Sequence, residues 1–357
     1  MARAAVSVVD ADGHLMESIP ELAQYMDPDL RREALQPYRN RQGIFPSLDG
    51  IHYLRMVEGD EVKERERVTA SAERTGSGED WVAFLDKAEV EHTVLFTTEG
   101  LSVGLIQHTE YAVRLCRAYN DYVADRYRRV DSRLHPMALV PLQDVQAAVI
   151  ELRRAVRELD LPGAMIQSSG LALPAGHDYY WPLYAAAAEL GCALAFHGGS
   201  NRGIGLDPIS DFNASHILHH PVPLMYALTT LVCYGVLDRY PDLRVGFMEG
   251  GCGWLVPLLD RMKRNEEYFD TRATKRGLPE YIRRGQVLIG CEGEDESMPY
   301  VVQRAGAEAF AYSSDYPHEV DLVDARRQIE ETLERTDLTA SDKAAILGGN
   351  ARRFFGL

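Results

Sequence analysis

At 357 residues, 46% of them hydrophobic, the chain can bury a core large enough for one big α/β barrel or two ordinary domains. Lys and Arg number 38 against 54 Asp and Glu, a formal net charge of −16, which argues against non-specific nucleic-acid binding and against docking on an anionic membrane. No apolar run approaches the roughly 20 residues that span a bilayer, no signal peptide pattern opens the chain, and five scattered cysteines (Cys116, Cys192, Cys233, Cys252, Cys291) read as reduced thiols, so a cytoplasmic protein is expected.

The chain opens on Val6-Ser7-Val8-Val9, a β-branched run of strand type, and continues into Asp10-Ala11-Asp12-Gly13-His14. Residues i and i+2 of an extended chain point to the same face, so the Asp12 carboxylate and the His14 imidazole converge as two metal ligands would. Ser18 to Val57 is broken by Pro20, Pro37 and Pro46, and Glu58 to Asp80 is strongly charged. Together, residues 18–80 predict an N-terminal lid or insertion.

From Trp81 the pattern becomes regular. Helices are expected at Trp81–Val90, Glu110–Arg128, Val145–Leu159, Tyr179–Leu190, Leu224–Tyr240, from Trp254 into Arg264, and at Met298–Gly306, Leu322–Arg335 and Ser341–Phe354. After the opening strand, further strands are expected at Thr93–Thr97, His135–Leu142, Gly163–Gln167, Cys192–His197, Leu243–Glu249, Gln286–Glu292 and Ala309–Ser314. Eight strands alternating with helices predict an α/β fold, a (β/α)8 TIM barrel occupying 1–357 as one domain, with an open doubly wound sheet as runner-up. No Gly-x-Gly-x-x-Gly or P-loop supports a nucleotide cofactor.

A barrel presents catalytic residues at the C-terminal ends of its strands. Here those ends carry Asp12 and His14, Gln167, His197, Glu249, Glu292, and Asp315 with His318. Each has a bland reading as a cap or ion-pair partner, but their recurrence favours a metal site. His216, His219 and His220 read as a loop that is solvated or touches substrate. Arg55, Arg202, His52, Trp254 and Glu292 are the candidate substrate contacts, the two arginines by bidentate pairing with a carboxylate.

Asp12-x-His14, His197 and Ser314-Asp315-Tyr316-Pro317-His318 resemble the amidohydrolase superfamily. Tyr240-Pro241-Asp242-Leu243-Arg244, Glu249-Gly250-Gly251-Cys252-Gly253-Trp254 and Asn350-Ala351-Arg352-Arg353-Phe354-Phe355 resemble its branch that contains aminocarboxymuconate-semialdehyde decarboxylase. The resemblance implies a divalent metal held by Asp12, His14, His197 and Asp315, with Asp315 also able to act as a base. Imidazole and carboxylate donors suit zinc, manganese or iron. Two departures stand out. Glu249 occupies the place of a catalytic histidine of related enzymes, and Gln167 the place of a lysine that bridges two metals elsewhere in the superfamily. Glu249 is then a terminal or bridging ligand or a base, with His318 or Glu292 completing the site. The expected function is hydrolysis or decarboxylation of a small organic acid, with Asp315, Glu249 and His318 as catalytic residues. The alternative is a two-iron monooxygenase acting on a hydrophobic terpenoid-like intermediate, similar to a diterpenoid hydroxylase of the same superfamily. A small-molecule partner is expected, no nucleic acid or membrane partner is, and a homodimer stays open.

Overall fold

A computed structural model describes residues 6–34, 44–46, 77–200, 202–209, 211–269 and 274–357. Its strands are β1 (Val9–Leu15), β2 (His92–Thr97), β3 (Leu134–Pro136), β4 (Ala138–Leu139), β5 (Gly163–Gln167), β6 (Ala193–His197), β7 (Arg244–Met248), β8 (Val287–Cys291) and β9 (Phe310–Tyr312). All recorded pairings are parallel, in the orders β1-β2-β3 and β4-β5-β6-β7-β8-β9. β3 and β4 are two pieces of one barrel position, separated only by Met137, whose N–H still donates to Leu95 O at 2.8 Å. Where that ladder fails, Asn120 substitutes for a neighbouring strand. Its amide accepts from Leu139 N at 2.8 Å and donates to Leu139 O at 2.9 Å, so the buried backbone of β4 stays paired.

Two backbone hydrogen bonds join the last strand position to the first: Asp315 N donates to Asp12 O at 2.9 Å, and His14 N to Tyr316 O at 2.7 Å. The eight expected strand positions are therefore present, in a (β/α)8 arrangement. Val9, Val94, Leu95, Phe96, Ala195, Phe196, Phe247, Ile289 and Phe310 are fully buried on these strands, as parallel strands covered by helices require.

Several local expectations need correction. Within the predicted lid, Ile19–Leu22 and Pro28–Ala34 are helical. Pro20 and Pro28 stand in first helical turns, where a missing N–H costs nothing, so they start these helices instead of breaking the chain. The helix Gly78–Ala88 also begins inside the stretch, capped by Ser77, whose hydroxyl accepts from Asp80 N at 3.1 Å. Residues 35–43 and 47–76, and with them His52 and Arg55, lie outside the described residues. The expected helix Leu224–Tyr240 is two, Pro221–Cys233 and Val236–Arg239, parted at left-handed Gly235 (φ 74°). The three-histidine loop is the helix Phe212–His219, capped by Asp211, whose carboxylate accepts from Ala214 N at 2.7 Å. No helix among the described residues is long and apolar enough to cross a membrane.

Candidate metal centre

The centre begins with an irregularity in β1. Asp10 pairs with Thr93 and Gly13 with Leu95, so three residues advance against two and the strand bulges between them. A Cβ at Gly13 would stand 2.6 Å from the Trp81 ring and 2.9 Å from Thr93 Oγ1, so only glycine lets the strand lie this close to its neighbours. Asp12 and His14, on either side of it, turn to the barrel axis and are wholly buried. His197 joins them from the end of β6, with its Nε2 at 3.4 Å from Asp12 Oδ1. His14 Nε2 lies 3.6 Å from Asp12 Oδ1 and 3.4 Å from Asp315 Oδ1.

Glu249 follows β7 directly and Asp315 follows β9 after Ser313 and Ser314, both with left-handed backbones (φ 59° and 56°). Among the described residues only Glu89 and Asp160 share that conformation outside glycine, and Glu89 merely ends a helix. A left-handed glutamate costs roughly 1 kcal/mol, a strain typical of functional positions. Asp315 is held in place by its neighbours. Ser314 binds Asp10, and the Tyr316 ring stacks on Phe84 at 3.8 Å. Glu249 Oε2 sits 3.2 Å from both His197 Nδ1 and His220 Nδ1, and His318 Nδ1 sits 2.9 Å from Asp315 Oδ1. The far side of His318 is fixed by Thr98, its Oγ1 at 2.9 Å from Nε2.

Most of these atoms approach one another without hydrogen-bond alignment. Both carboxylate oxygens of Asp12, His14 Nε2, His197 Nε2, Glu249 Oε2, Asp315 Oδ1 and both ring nitrogens of His220 are buried with no hydrogen-bond partner. Leaving so many polar atoms unsatisfied would cost on the order of 1–3 kcal/mol each, unless something binds them together. Donors around one cation at about 2.1 Å stand about 3.0–3.5 Å apart, close to the spacings of the Asp12, His14, His197 and Asp315 atoms. Two carboxylates and two imidazoles therefore fit a divalent cation. Asp12, His14 and His197 form one compact donor group, and His14, Glu249, Asp315 and His318 a second.

The electrostatics agree with a site that needs a cation. Burial pushes the Asp12 carboxyl up to about 7, against the pull of His197. Burial, together with His318 and His197, holds His14 well below the usual imidazole range. Burial would also lower His197, but the Asp12 and Glu249 carboxylates outweigh it and raise it to about 9. At Glu249 burial is overcome by His220 and His197, which keep the carboxyl well below its ordinary value.

The remaining expected site residues are spread more widely. Glu292 is half-buried beyond β8, outside both donor groups, and burial with the carboxylates of Asp295 and Asp315 pushes it up to about 8. Trp254 is 7% exposed, packs edge-on against Phe247, and has its Nε1 buried without a partner. Arg202 is exposed on the loop after β6, its N–H bonded to Ser200 Oγ at 3.1 Å. Gln167 turns aside from the donors, giving its amide N–H to Leu101 O at 3.0 Å. The sequence reading missed His220, which lies beside Glu249 and not in a solvated loop. The spacing 216, 219, 220 was the available signal, since it places all three imidazoles on one side of a helix.

A parallel barrel with buried carboxylate and imidazole donors at the strand ends defines an enzyme scaffold built around a divalent metal. The chain belongs to the amidohydrolase family, whose model matches residues 9–357. It is 25% identical over 279 residues to a 2-amino-3-carboxymuconate-6-semialdehyde decarboxylase of Dictyostelium discoideum, covering 76% of this chain and 75% of that one. It is 23% identical to a gamma-resorcylate decarboxylase of Polaromonas sp., covering 77% of this chain and 86% of the relative. Among solved structures, a 5-carboxyvanillate decarboxylase of Novosphingobium aromaticivorans, complexed with manganese and 4-hydroxy-3-methoxy-5-nitrobenzoic acid, superposes with a TM-score of 0.75 at 19% identity, covering 100% of this chain and 98% of that one.

Proposed function

We propose that this protein is a metal-dependent carboxy-lyase that removes CO2 from a small, cyclic or conjugated organic acid. The observation that carries the reading is the set of buried, hydrogen-bond-orphaned donors on Asp12, His14, His197 and Asp315, which would hold the metal. Manganese is the first candidate, given the oxygen-rich donor set and the manganese in a similar decarboxylase, with zinc and iron behind it. When bound, the cation supplies Lewis acidity at a substrate oxygen.

The chain's own groups account for the proton. Loss of CO2 leaves an electron pair on carbon that a proton must quench, and Asp315 with His318, 2.9 Å apart, is the pair positioned to hold one. Burial opposes a charge on His318, but the Asp315 carboxylate beside it outweighs burial and raises the imidazole to about 9. Glu249 serves as a ligand-type carboxylate in place of a histidine acid. Trp254, Glu292, Arg202, His52 and Arg55 are assigned to substrate contact. Hydrolysis would use the same pair to take a proton from water. The four buried and one exposed free cysteines suit a reducing, cytoplasmic setting.

The test is CO2 release from a panel of hydroxybenzoates and amino-carboxymuconate-type acids with manganese-loaded enzyme. Release from at least one, lost in Asp315→Asn, is the expected result. The second reading, oxygenation at an iron pair, is favoured by Glu249, a carboxylate within 3.2 Å of two imidazoles. Substrate-dependent O2 uptake by the iron-loaded enzyme, without CO2 release from any acid, would replace the first reading by the second.

A further inference from the structure

We propose that Glu17 is a positioning residue for the metal centre: through the turn that follows β2 it sets the tautomer of His14 and the orientation of His318. The role of His14 as a ligand rests on the metal-dependent reading above, so the test includes a readout that needs no metal.

Glu17 lies two residues beyond the end of β1, is 8% exposed, and pairs with no Lys, Arg or His among the described residues. A buried carboxylate without a cation is costly unless hydrogen-bond donors surround it. Here the donors all come from one short segment. Thr97 Oγ1 donates to Glu17 Oε1, while Thr98 N and Glu99 N donate to Oε2 at 3.2 and 3.1 Å. Thr97 Oγ1 also accepts from Gly100 N at 2.7 Å, so the backbone from Thr97 to Gly100 is tied to this one side chain.

From that turn two contacts run to the centre. Thr97 O lies 3.2 Å from His14 Nδ1. A carbonyl can only accept, so it keeps the proton on Nδ1 and leaves the Nε2 lone pair, buried among Asp12 and Asp315, for a cation. Thr98 Oγ1, 2.9 Å from His318 Nε2, donates its own proton to Met16 Sδ at 3.5 Å and so faces His318 as an acceptor. His318 can then give Nδ1–H to Asp315 and Nε2–H to Thr98 at once, the arrangement a proton-holding imidazole requires. One extension of β1 thus supplies both a ligand, His14, and the carboxylate that orients it.

The test uses the untagged full chain, its histidines labelled with 15N, stripped by a chelator. Ring-nitrogen resonances are read first without metal, with His14 and His318 assigned by their loss in His14→Gln and His318→Gln. The wild type should show His14 as a single tautomer protonated on Nδ1, and Glu17→Ala a mixture of both. The His318 Nε2 resonance should move in Glu17→Ala in the direction it moves in Thr98→Val, which removes only the hydroxyl. Mn2+ affinity, titrated by electron paramagnetic resonance, should weaken about 10- to 100-fold in Glu17→Ala. Glu17→Gln, which still accepts from both backbone N–H groups, should stay within about threefold of the wild type. A folded Glu17→Ala that keeps the wild-type tautomer or the wild-type affinity overturns the proposal and leaves the metal-dependent reading intact. A loss in Glu17→Gln as large as in Glu17→Ala also overturns it, since charge and not bonding would then matter, and a His318 signal that Glu17→Ala leaves in place overturns the link to His318. A wild type that binds no Mn2+ overturns the metal-dependent reading instead, and the tautomer of His14 alone then decides the role of Glu17. If Glu17→Ala does not fold, Thr97→Val, which cuts one bond to Glu17 but keeps the carbonyl facing His14, is read in the same way.

Discussion

Asp10 and Asp12 stand two residues apart on β1, both with no exposed surface, and burial raises both carboxyls, to about 6 and about 7. Their surroundings are opposite. Asp10 accepts from Ser314 N at 2.9 Å, Ser314 Oγ at 2.7 Å, Thr93 Oγ1 at 3.2 Å and Asp12 N at 3.2 Å, and so stitches the last strand position to the first two. Neither oxygen of Asp12 has a hydrogen bond. Burial therefore does not separate a structural carboxylate from a ligand; the fate of its lone pairs does.

The sharpest way to break this comparison is to remove each carboxylate in turn. Asp12→Ala should abolish manganese retention and lower turnover on the order of a thousand-fold, with urea unfolding of the metal-free protein little changed. Asp10→Ala should do the reverse, costing about 3 kcal/mol in urea unfolding as Ser314 and Thr93 lose their acceptor, with manganese still retained by the folded fraction. Exchange of these two phenotypes would sink the distinction. Metal removal gives the next effect. At a free manganese concentration about 100 times the dissociation constant, the wild type should gain about 2.7 kcal/mol over its chelated form, and Asp12→Ala should gain nothing.

A satisfied histidine sharpens the contrast with His14 and His220. His135 is 7% exposed, its Nε2 lies 3.0 Å from His92 Nδ1, and burial with nearby Arg128 lowers it to about 3. The unfolded chain binds a proton near pH 6.5 that the folded chain refuses, so this contribution to stability is full above that pH and falls as pH drops towards 3. At pH 5 the loss is about 2 kcal/mol, and His135→Gln should shrink the difference in unfolding free energy between pH 7.5 and pH 5 by that amount. The smallest effect concerns Glu292. Protonated below about 8, it becomes a further anion in the mouth above that value, so kcat/KM should fall as pH rises through 8. Glu292→Gln should lose this alkaline fall while staying within about threefold of wild type at pH 6.5. An unchanged alkaline limb would remove Glu292 from substrate approach.

What could be read from the sequence was what chain periodicity controls. Period-two spacing puts Asp12 and His14 on one face of a strand, and the alternation of strands and helices implies a barrel with His197, Glu249 and Asp315 at its strand ends. What could not be read depends on contacts between distant segments. The bulge in β1 follows from Gly13 meeting Trp81 and Thr93, and the arrival of His220 at Glu249 depends on Gly198 leaving room. The break at Met137 is tolerable only because Asn120 repairs it from a helix. Pro20 misled in the opposite direction, since the same residue ends a helix in its interior and begins one in its first turn.

The join between the first and last strand positions has a consequence for the order of assembly. The donors of β1 are synthesised well before Asp315, and the two backbone bonds that align them, Asp315 N to Asp12 O and His14 N to Tyr316 O, form only when the last strand position meets the first. A partly made chain would thus carry an incomplete set of the proposed ligands, and tight capture of a cation would wait until Asp315 is in place. Such long-range closure is slow to reach and, once the ion is seated, hard to reverse. A metal held by these donors would act as a clasp between the first and last strand positions, so its loss should loosen the terminal strands ahead of the middle ones.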